Sequence, residues 1–84
     1  MIVQENGALK VTGALTMDNI SAALAAAEQF FNQHQTVVID LAQVAEVDSS
    51  ALGVMFEWLR KAKRHNVEIK FVNLSDNLNS LAKL

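Results

Sequence analysis

The stretch that decides the fold is VAEVDSSALGVMFEWLRKAKRHN, residues 44–66. Asp48, Ser49 and Ser50 are residue types that favour the start of a helix, and the residues after them repeat apolar side chains at helical spacing. Asn66 follows a run of cations and tolerates the left-handed conformation in which helices often end. The stretch therefore predicts an amphipathic helix that begins near Ser49 and stops at Asn66.

This helix carries two apolar stripes rather than one. At about 100° per residue, the other members of the first stripe lie within about 60° of Leu52; they are Met55, Phe56 and Leu59. The second stripe, on the far side, consists of Ala51, Val54 and Trp58. We expect the first stripe to face the core. Trp58 then either covers a neighbouring loop or the final helix, or anchors a partner, since aromatic side chains are enriched at binding hot spots.

The polar start of the helix has two interpretations. Ser49, with Asp48 beside it, suits an N-cap, whose side-chain oxygen accepts a bond from a backbone N–H group one turn ahead. A helix N-terminus also favours a phosphoryl group, so Ser49 is a candidate for phosphorylation or for direct contact with a partner. The residues alone leave both interpretations open.

Working outward, the sequence alternates short strands with helices. Asn6-Gly7 predicts a hairpin between the first two strands, and TMDNISAALAAAEQFFNQ (residues 16–33) predicts the first helix. TVVIDL (residues 36–41) has the continuous apolar character of a central strand covered on both faces, and EIKFVNL (residues 68–74) predicts another strand. SDNLNSLAKL (residues 75–84) predicts a last helix.

The predicted order is therefore β-β-α-β-α-β-α. Helices between strands imply parallel crossovers, so we expect a single α/β domain over residues 1–84, with a mixed sheet and the helices packed on it. The chain has 84 residues, of which 51% are apolar and 19% charged, a composition typical of one compact domain.

Composition excludes several functions. The chain has no cysteine, which removes disulfides and thiolate chemistry, and its net charge of −2 argues against broad nucleic-acid binding. There is no secretory signal pattern at the N-terminus and no apolar run near the roughly 20 residues that span a bilayer. We therefore expect a soluble, cytoplasmic domain without a membrane span.

No catalytic pattern is present. His34 and His65 lack the spacing of a metal pair, and the glycines are too far apart for a phosphate loop. Asp40, Glu46 and Asp48 form an acidic group after the third strand that suits caps better than a metal. We expect no enzyme activity, metal or cofactor.

A basic cluster, Arg60 to His65, closes the decisive stretch. Cations there complement the negative end of the helix dipole. A contact with an acidic partner or with lipid headgroups is the alternative, and the sequence does not decide between them.

The block VVIDLAQVAEVDSSALGVMFEWLRKAK resembles the core motif of STAS domains, a family that includes bacterial antagonists of anti-sigma factors. Within that family, SSALGVMFEWLRKAK followed by VNLSDNLNSLAKL is most similar to the STAS subunit of the Mla phospholipid ABC transporter, which maintains outer-membrane lipid asymmetry. The resemblance implies a non-catalytic cytoplasmic subunit that binds the transporter ATPase at the inner membrane. The alternative that it implies is a phosphorylation-controlled switch that binds an anti-sigma kinase.

The resemblance also assigns residues. Ser49 matches the position that is phosphorylated in sigma-regulating relatives and lies at the ATPase interface in the Mla-type subunit. Ser50, Ala51, Val54 and Trp58 then follow along the partner-facing turns, and Trp58→Ala should weaken the complex with little loss of fold. Two departures are Ala51, where sigma-regulating relatives usually carry glycine, and the absence of a family-typical segment after residue 84.

Overall fold

The computed structural model describes residues 2–5, 7–31, 36–74 and 76. Six strands and two α-helices lie within these ranges. They are β1 (Ile2–Glu5), β2 (Ala8–Val11), β3 (Gly13–Leu15), α1 (Ile20–Glu28), β4 (Thr36–Asp40), β5 (Val44–Val47), α2 (Ser50–Arg64) and β6 (Glu68–Val72), with a 3₁₀ turn at Met17–Asn19 before α1. The predicted last helix, residues 75–84, lies outside the described residues except for residue 76.

The main sheet has the strand order β1-β2-β4-β6. β1 and β2 pair antiparallel as the predicted hairpin, and Gly7 supplies the positive φ of 80° that its turn requires. The pairs β2–β4 and β4–β6 are parallel, as the intervening helices predict. Both crossovers step in the same direction across the sheet, so right-handed connections place α1 and α2 on the same face.

A second, two-stranded sheet was not predicted. β3 pairs parallel with β5, and their register shifts between Gly13 and Ala14. The predicted second strand is therefore divided at Thr12, where the chain leaves the main sheet. These strands are too short, at three and four residues, to show a clear two-residue alternation.

The core lies between the main sheet and the two helices. In β4, Val37 and Ile39 are buried, whereas Val38 on the other face is half-buried, so this central strand is covered more fully on one side than its sequence predicts. The small residues Ala23 and Ala27 of α1 are fully buried. Their size lets α1 approach its neighbours closely, and α1 and α2 pack directly against each other.

The predicted orientation of α2 is wrong. Its buried residues are Ala51, Val54, Trp58 and Ala62, whereas Phe56 is 66% exposed and Leu59 is 40% exposed. Both stripes have helical spacing, so periodicity did not distinguish them. The buried stripe ends in alanines at 51 and 62, which bring the helix close to the sheet and leave space for one large ring.

Trp58 fills that space. Its indole stacks on Phe71 of β6, with ring centroids 6.4 Å apart and an interplanar angle of 27°. The indole N–H group has no hydrogen-bond partner in the part of the chain that the structure describes, so apolar packing holds the ring in place. Trp58 is a core residue that joins α2 to the sheet.

Replacing Trp58 should therefore damage the fold. We expect Trp58→Ala to lower the free energy of unfolding by about 3–5 kcal/mol, because it removes a buried ring and leaves a cavity. Phe56→Ala, an exposed aromatic on the same helix, should change it by less than about 0.5 kcal/mol. Urea denaturation followed by circular dichroism measures both, and equal losses in the two variants would contradict this orientation of α2.

Asp40 joins the ends of β4 and β6. Its Oδ1 accepts the backbone N–H of Ala42 at 2.9 Å and the side-chain amide of Asn73 at 3.2 Å. These two bonds, in that order of effect, and then the charge of Lys10 lower the pKa of Asp40 from its ordinary value of 3.8. The ionised carboxylate therefore stabilises the folded state.

The effect on stability has a definite sign. Because the folded pKa of Asp40 is depressed, its contribution is complete above 3.8 and is lost as the pH falls through the folded value. We expect Asp40→Asn to be less stable than the parent protein at pH 7 and to lose less stability on acidification. Asp18→Asn, which removes the same charge from an exposed turn, is the control. Urea titrations between pH 2 and 7 would reject this role if the two variants lose stability in parallel.

Candidate partner-docking site

The start of α2 is held by Asp48. Its Oδ1 accepts the backbone N–H of Ser50 at 2.8 Å, and its Oδ2 accepts the backbone N–H of Met17 at 3.2 Å. The backbone N–H of Asp48 in turn bonds the carbonyl of Leu15 at 3.4 Å. One carboxylate therefore connects the helix start to the turn that precedes α1, and the two segments form one corner. We call Met17, Asp48, Ser49 and Ser50 the corner.

Ser49 does not cap the helix with its side chain. It occupies the N-cap position with φ −60° and ψ −20°, but its hydroxyl makes no capping hydrogen bond. Since Asp48 supplies that bond, the capping interpretation of Ser49 is wrong. Ser49 is an exposed residue of the corner.

The structure divides the five predicted partner-binding residues into two groups. Ser49 is exposed and Ser50 half-buried, both at the corner. Ala51, Val54 and Trp58 are at most 1% exposed and lie in the core. The placement of these three on an exposed face is wrong, because α2 is rotated by about half a turn from the predicted orientation. Their side chains are not available for direct contact.

Two exposed features were missed. Met17 is 71% exposed and lies at the corner, where its backbone is held by Asp48. A stripe that we call the outer stripe also runs down α2 from Ser49 at the alternating three- and four-residue spacing of a helix contact seam. Its members are Ser49, Leu52, Phe56, Leu59 and Lys63. The helical spacing of the outer stripe was visible in the sequence. No sequence pattern marked Met17, which stands in the polar run TMDN, as part of an exposed surface.

The charges on α2 are only partly neutralised. Arg60 pairs with Glu57, and this hydrogen bond raises the pKa of Arg60 and lowers that of Glu57. Lys61 pairs with Glu28 of α1 at 3.4 Å. Lys63 and Arg64 are exposed and have no ion-pair partner among the residues described. The basic cluster therefore presents two unpaired cations at the C-terminal end of the outer stripe.

Residues 2–5, 7–31, 36–74 and 76 show no metal centre. Within them, no three histidine, aspartate or glutamate side chains come together as a metal site. Asp40 at the end of β4 and Asp48 before α2, two of the three acids in that predicted group, accept backbone hydrogen bonds instead. No helix in these ranges is long and apolar enough to cross a bilayer.

These features define a small α/β domain that presents a rigid helix start on its surface. A protein-family model described as "Mlab, STAS domain" matches residues 2–84, so the chain belongs to the STAS domain family. STAS domains are generally non-catalytic domains that bind partner proteins. No curated protein gives a significant sequence match.

Solved structures share the fold. The anti-sigma factor antagonist SpoIIAA in its unphosphorylated form is 14% identical, with a TM-score of 0.71 over 99% of this chain and 80% of its own. A structure of Mglu is 20% identical, with a TM-score of 0.70 over 90% of this chain. Its native form is 18% identical, with a TM-score of 0.56 over 83% of this chain. The chain spans only 20% and 22% of the two Mglu chains.

Substitutions at the corner test which residue caps α2 and which is only exposed. We expect Asp48→Ala to lower the free energy of unfolding by about 1 kcal/mol, because the cap of α2 is lost. Ser49→Ala, one residue away, should change it by less than about 0.5 kcal/mol. Urea denaturation of both variants measures the difference, and a larger loss for Ser49→Ala would return the capping role to Ser49.

Proposed function

We propose that the chain is a non-catalytic subunit that binds the cytoplasmic ATPase of an ABC phospholipid transporter, one that maintains outer-membrane lipid asymmetry. The observation that carries the proposal is the corner: Ser49 is exposed and its side chain makes no capping hydrogen bond, and Asp48 next to it holds the backbone of the exposed Met17. The description of the matching family model, which names Mlab, is consistent with this role.

The corner suits protein binding because it is preorganised. Asp48 bonds the backbone on both sides, so Met17 and Ser49 are held in place before a partner arrives. Binding then orders few new residues, which lowers its entropic cost. Met17 supplies an apolar contact and Ser49 a hydroxyl that both donates and accepts hydrogen bonds.

In this role the subunit needs no active site, cofactor or membrane span of its own. It lies at the cytoplasmic side of the inner membrane because the ATPase lies there, and it contacts the permease only through that ATPase. Its effect on transport is exerted by supporting the assembly and activity of the ATPase.

A second function is favoured by the same serine. An exposed hydroxyl at a helix N-terminus, not engaged in capping, is accessible to a kinase. The chain would then act as an anti-sigma-factor antagonist that binds an anti-sigma kinase and is released by phosphorylation of Ser49. Asp48 would repel the phosphate, so modification would disturb the corner and act as a switch.

The two functions predict different bound proteins. A native pull-down from the source cell, followed by mass spectrometry, should recover an ABC ATPase with its permease and an unmodified Ser49. Recovery of a kinase together with a sigma factor, and of phosphate on Ser49, would reject the transporter subunit and support the anti-sigma-factor antagonist.

Variants at the corner then test the surface itself. We expect Ser49→Asp and Met17→Ser each to weaken binding to the purified ATPase by about tenfold or more, because one adds a charge and the other removes an apolar contact at the interface. The matched controls are Thr36→Asp and Val3→Ser, exposed positions away from the corner. Titration calorimetry measures the affinities. If the corner variants bind the ATPase as tightly as their controls, the corner is not part of the interface.

A further inference from the structure

The main sheet has one face that the helices cover and one that they leave open. Trp58 of α2 stacks on Phe71, and Phe71 is paired with the buried Ile39, so these side chains mark the helix-covered face. Side chains alternate between the two faces along each strand. Val38, between the buried Val37 and Ile39, therefore points to the opposite side, on which neither α1 nor α2 packs.

The strand register arranges that opposite side, which we call the open face, in rows that run from β1 to β6. Residues paired across neighbouring strands lie side by side on the same face. The first row consists of Val3, Lys10, Asp40 and Val72. The second row consists of Glu5, Ala8, Val38 and Lys70. A third, incomplete row lies level with the hairpin turn and consists of Thr36 and Glu68.

The open face lacks the cover that its strands predict. β2, β4 and β6 are parallel neighbours, and parallel sheets are nearly always covered on both faces. Val38 at the centre of the open face is nevertheless only half-buried, and Val3 is 49% exposed. The chain leaves β6 towards the other face, because Leu74 packs against the core. The cover that this sheet predicts is therefore absent from the described part of the chain.

The first row is complementary to itself in reverse order. A two-fold axis that runs along the strands, between β2 and β4, sets β1 opposite β6 of a second copy and β2 opposite β4. Val3 then meets Val72 of the second copy, an apolar pair. Lys10 meets Asp40 of the second copy, a pair of opposite charges. The symmetry repeats both pairs.

The same axis makes the second row complementary as well. Glu5 meets Lys70 of the second copy, again a pair of opposite charges. Ala8 meets Val38 of the second copy at the centre of the face, where two small side chains let the sheets approach closely. The third row meets only the hairpin turn of the second copy and adds no pair. Every pairing in the two complete rows therefore matches in chemistry.

The charged side chains are available for these contacts. Lys70 is exposed and has no ion-pair partner among the described residues. Lys10 pairs with Glu5 of its own chain at 3.1 Å. Asp40 accepts the hydrogen bonds of Ala42 and Asn73 through Oδ1, so its Oδ2 can accept one from a second copy. A second copy thus extends one ion pair into a row of four alternating charges.

We propose that two copies of this chain form a dimer through their open faces, with the strands of the two sheets aligned and the sheets about 10 Å apart. Each face is four strands wide, or roughly 19 Å by 13 Å for its two rows and their margins. The dimer therefore buries less than the roughly 1,600 Å² of a standard interface. We expect a dissociation constant between about 10 μM and 1 mM.

The dimer leaves the corner uncovered, because the corner joins α2 to the turn before α1 on the other side of the sheet. One dimer then presents two corners. A partner assembly with two matching sites would be bound more tightly by the dimer than by one chain. This consequence alone rests on the proposed function.

Sedimentation of the purified chain, without any partner, tests the dimer independently of the proposed function. The weight-average mass should rise from 9.2 kDa towards twice that value as the concentration is raised to about 1 mM. A mass that stays at 9.2 kDa at every concentration would overturn the dimer and leave residues 77–84 or another protein to cover the open face.

A charge exchange between two variants tests the orientation. Lys70→Glu sets two acids against each other at both ends of the second row, and Glu5→Lys sets two lysines against each other. Each variant alone should dimerise at least tenfold more weakly than the parent, since like charges in contact repel. Mixing the two variants restores opposite charges at both ends, so the mixture should form a heterodimer at least tenfold more tightly than either variant dimerises alone.

Lys63→Glu is the matched control, because it reverses an exposed lysine of α2 that also has no ion-pair partner in the described ranges. It should leave the dissociation constant unchanged. A mixture of Lys70→Glu and Glu5→Lys chains that stays monomeric would reject this geometry. So would a Lys63→Glu variant that weakens the dimer as much as Lys70→Glu.

Val3→Glu keeps the test decisive if Glu5→Lys fails to fold beside Lys10. Val3 is exposed on an edge strand, so the fold tolerates a charge there, but the dimer would set that charge against Val72 of the second copy. The dissociation constant should rise at least tenfold, whereas Ala25→Glu, an exposed position on α1, should not change it. Circular dichroism confirms that each variant is folded. A folded Val3→Glu variant that dimerises as well as the parent would contradict the proposal.

Discussion

Burial of Trp58 between α2 and β6 is the interaction on which the rest of the structure depends. Burying about 200 Å² of indole surface contributes about 5 kcal/mol. That is comparable with the whole net stability of about 4–13 kcal/mol expected for a domain of 84 residues. The ring also fixes the rotation of α2, because it stacks on Phe71. That rotation determines every residue that the helix presents to solvent.

At the corner, a side chain that holds the fold together lies next to one that makes no capping hydrogen bond. Asp48 has a structural role, since its carboxylate accepts hydrogen bonds from backbone N–H groups of α2 and of the turn before α1. The side chain of Ser49, the next residue, makes no capping hydrogen bond. An uncharged exchange at Ser49 can therefore alter the surface while the fold stays intact.

STAS domains generally act through the partner proteins that their surfaces contact. Here the exposed features lie along α2: the corner at its start, the outer stripe along its length, and at its end two cations without an ion-pair partner in the described part of the chain. The inner face of the same helix builds the core. The rotation of α2 about its axis thus determines both which side chains stabilise the core and which are exposed, and an error in that rotation exchanges buried residues for exposed ones.

The sequence by itself determined the order of the four strands of the main sheet and the two helices between them, the hairpin at Gly7, the parallel crossovers and the helix stop at Asn66, whose φ is 58°. These features depend on local chemistry: turn residues, caps and apolar periodicity. It also indicated the family through the block around Asp48. The position of Ser49 at the start of α2 was predicted, but its freedom from capping was not.

Only the tertiary structure decided which stripe of α2 is buried. Both stripes have helical spacing, and the choice depends on the shape of the space above β4 and β6, where two alanines permit close approach and one tryptophan fills the gap. The pairing of β3 with β5 and the contact of Met17 with Asp48 likewise join segments distant in sequence. Such contacts leave no periodic pattern in the sequence, because they are set by which surfaces meet when the whole chain packs.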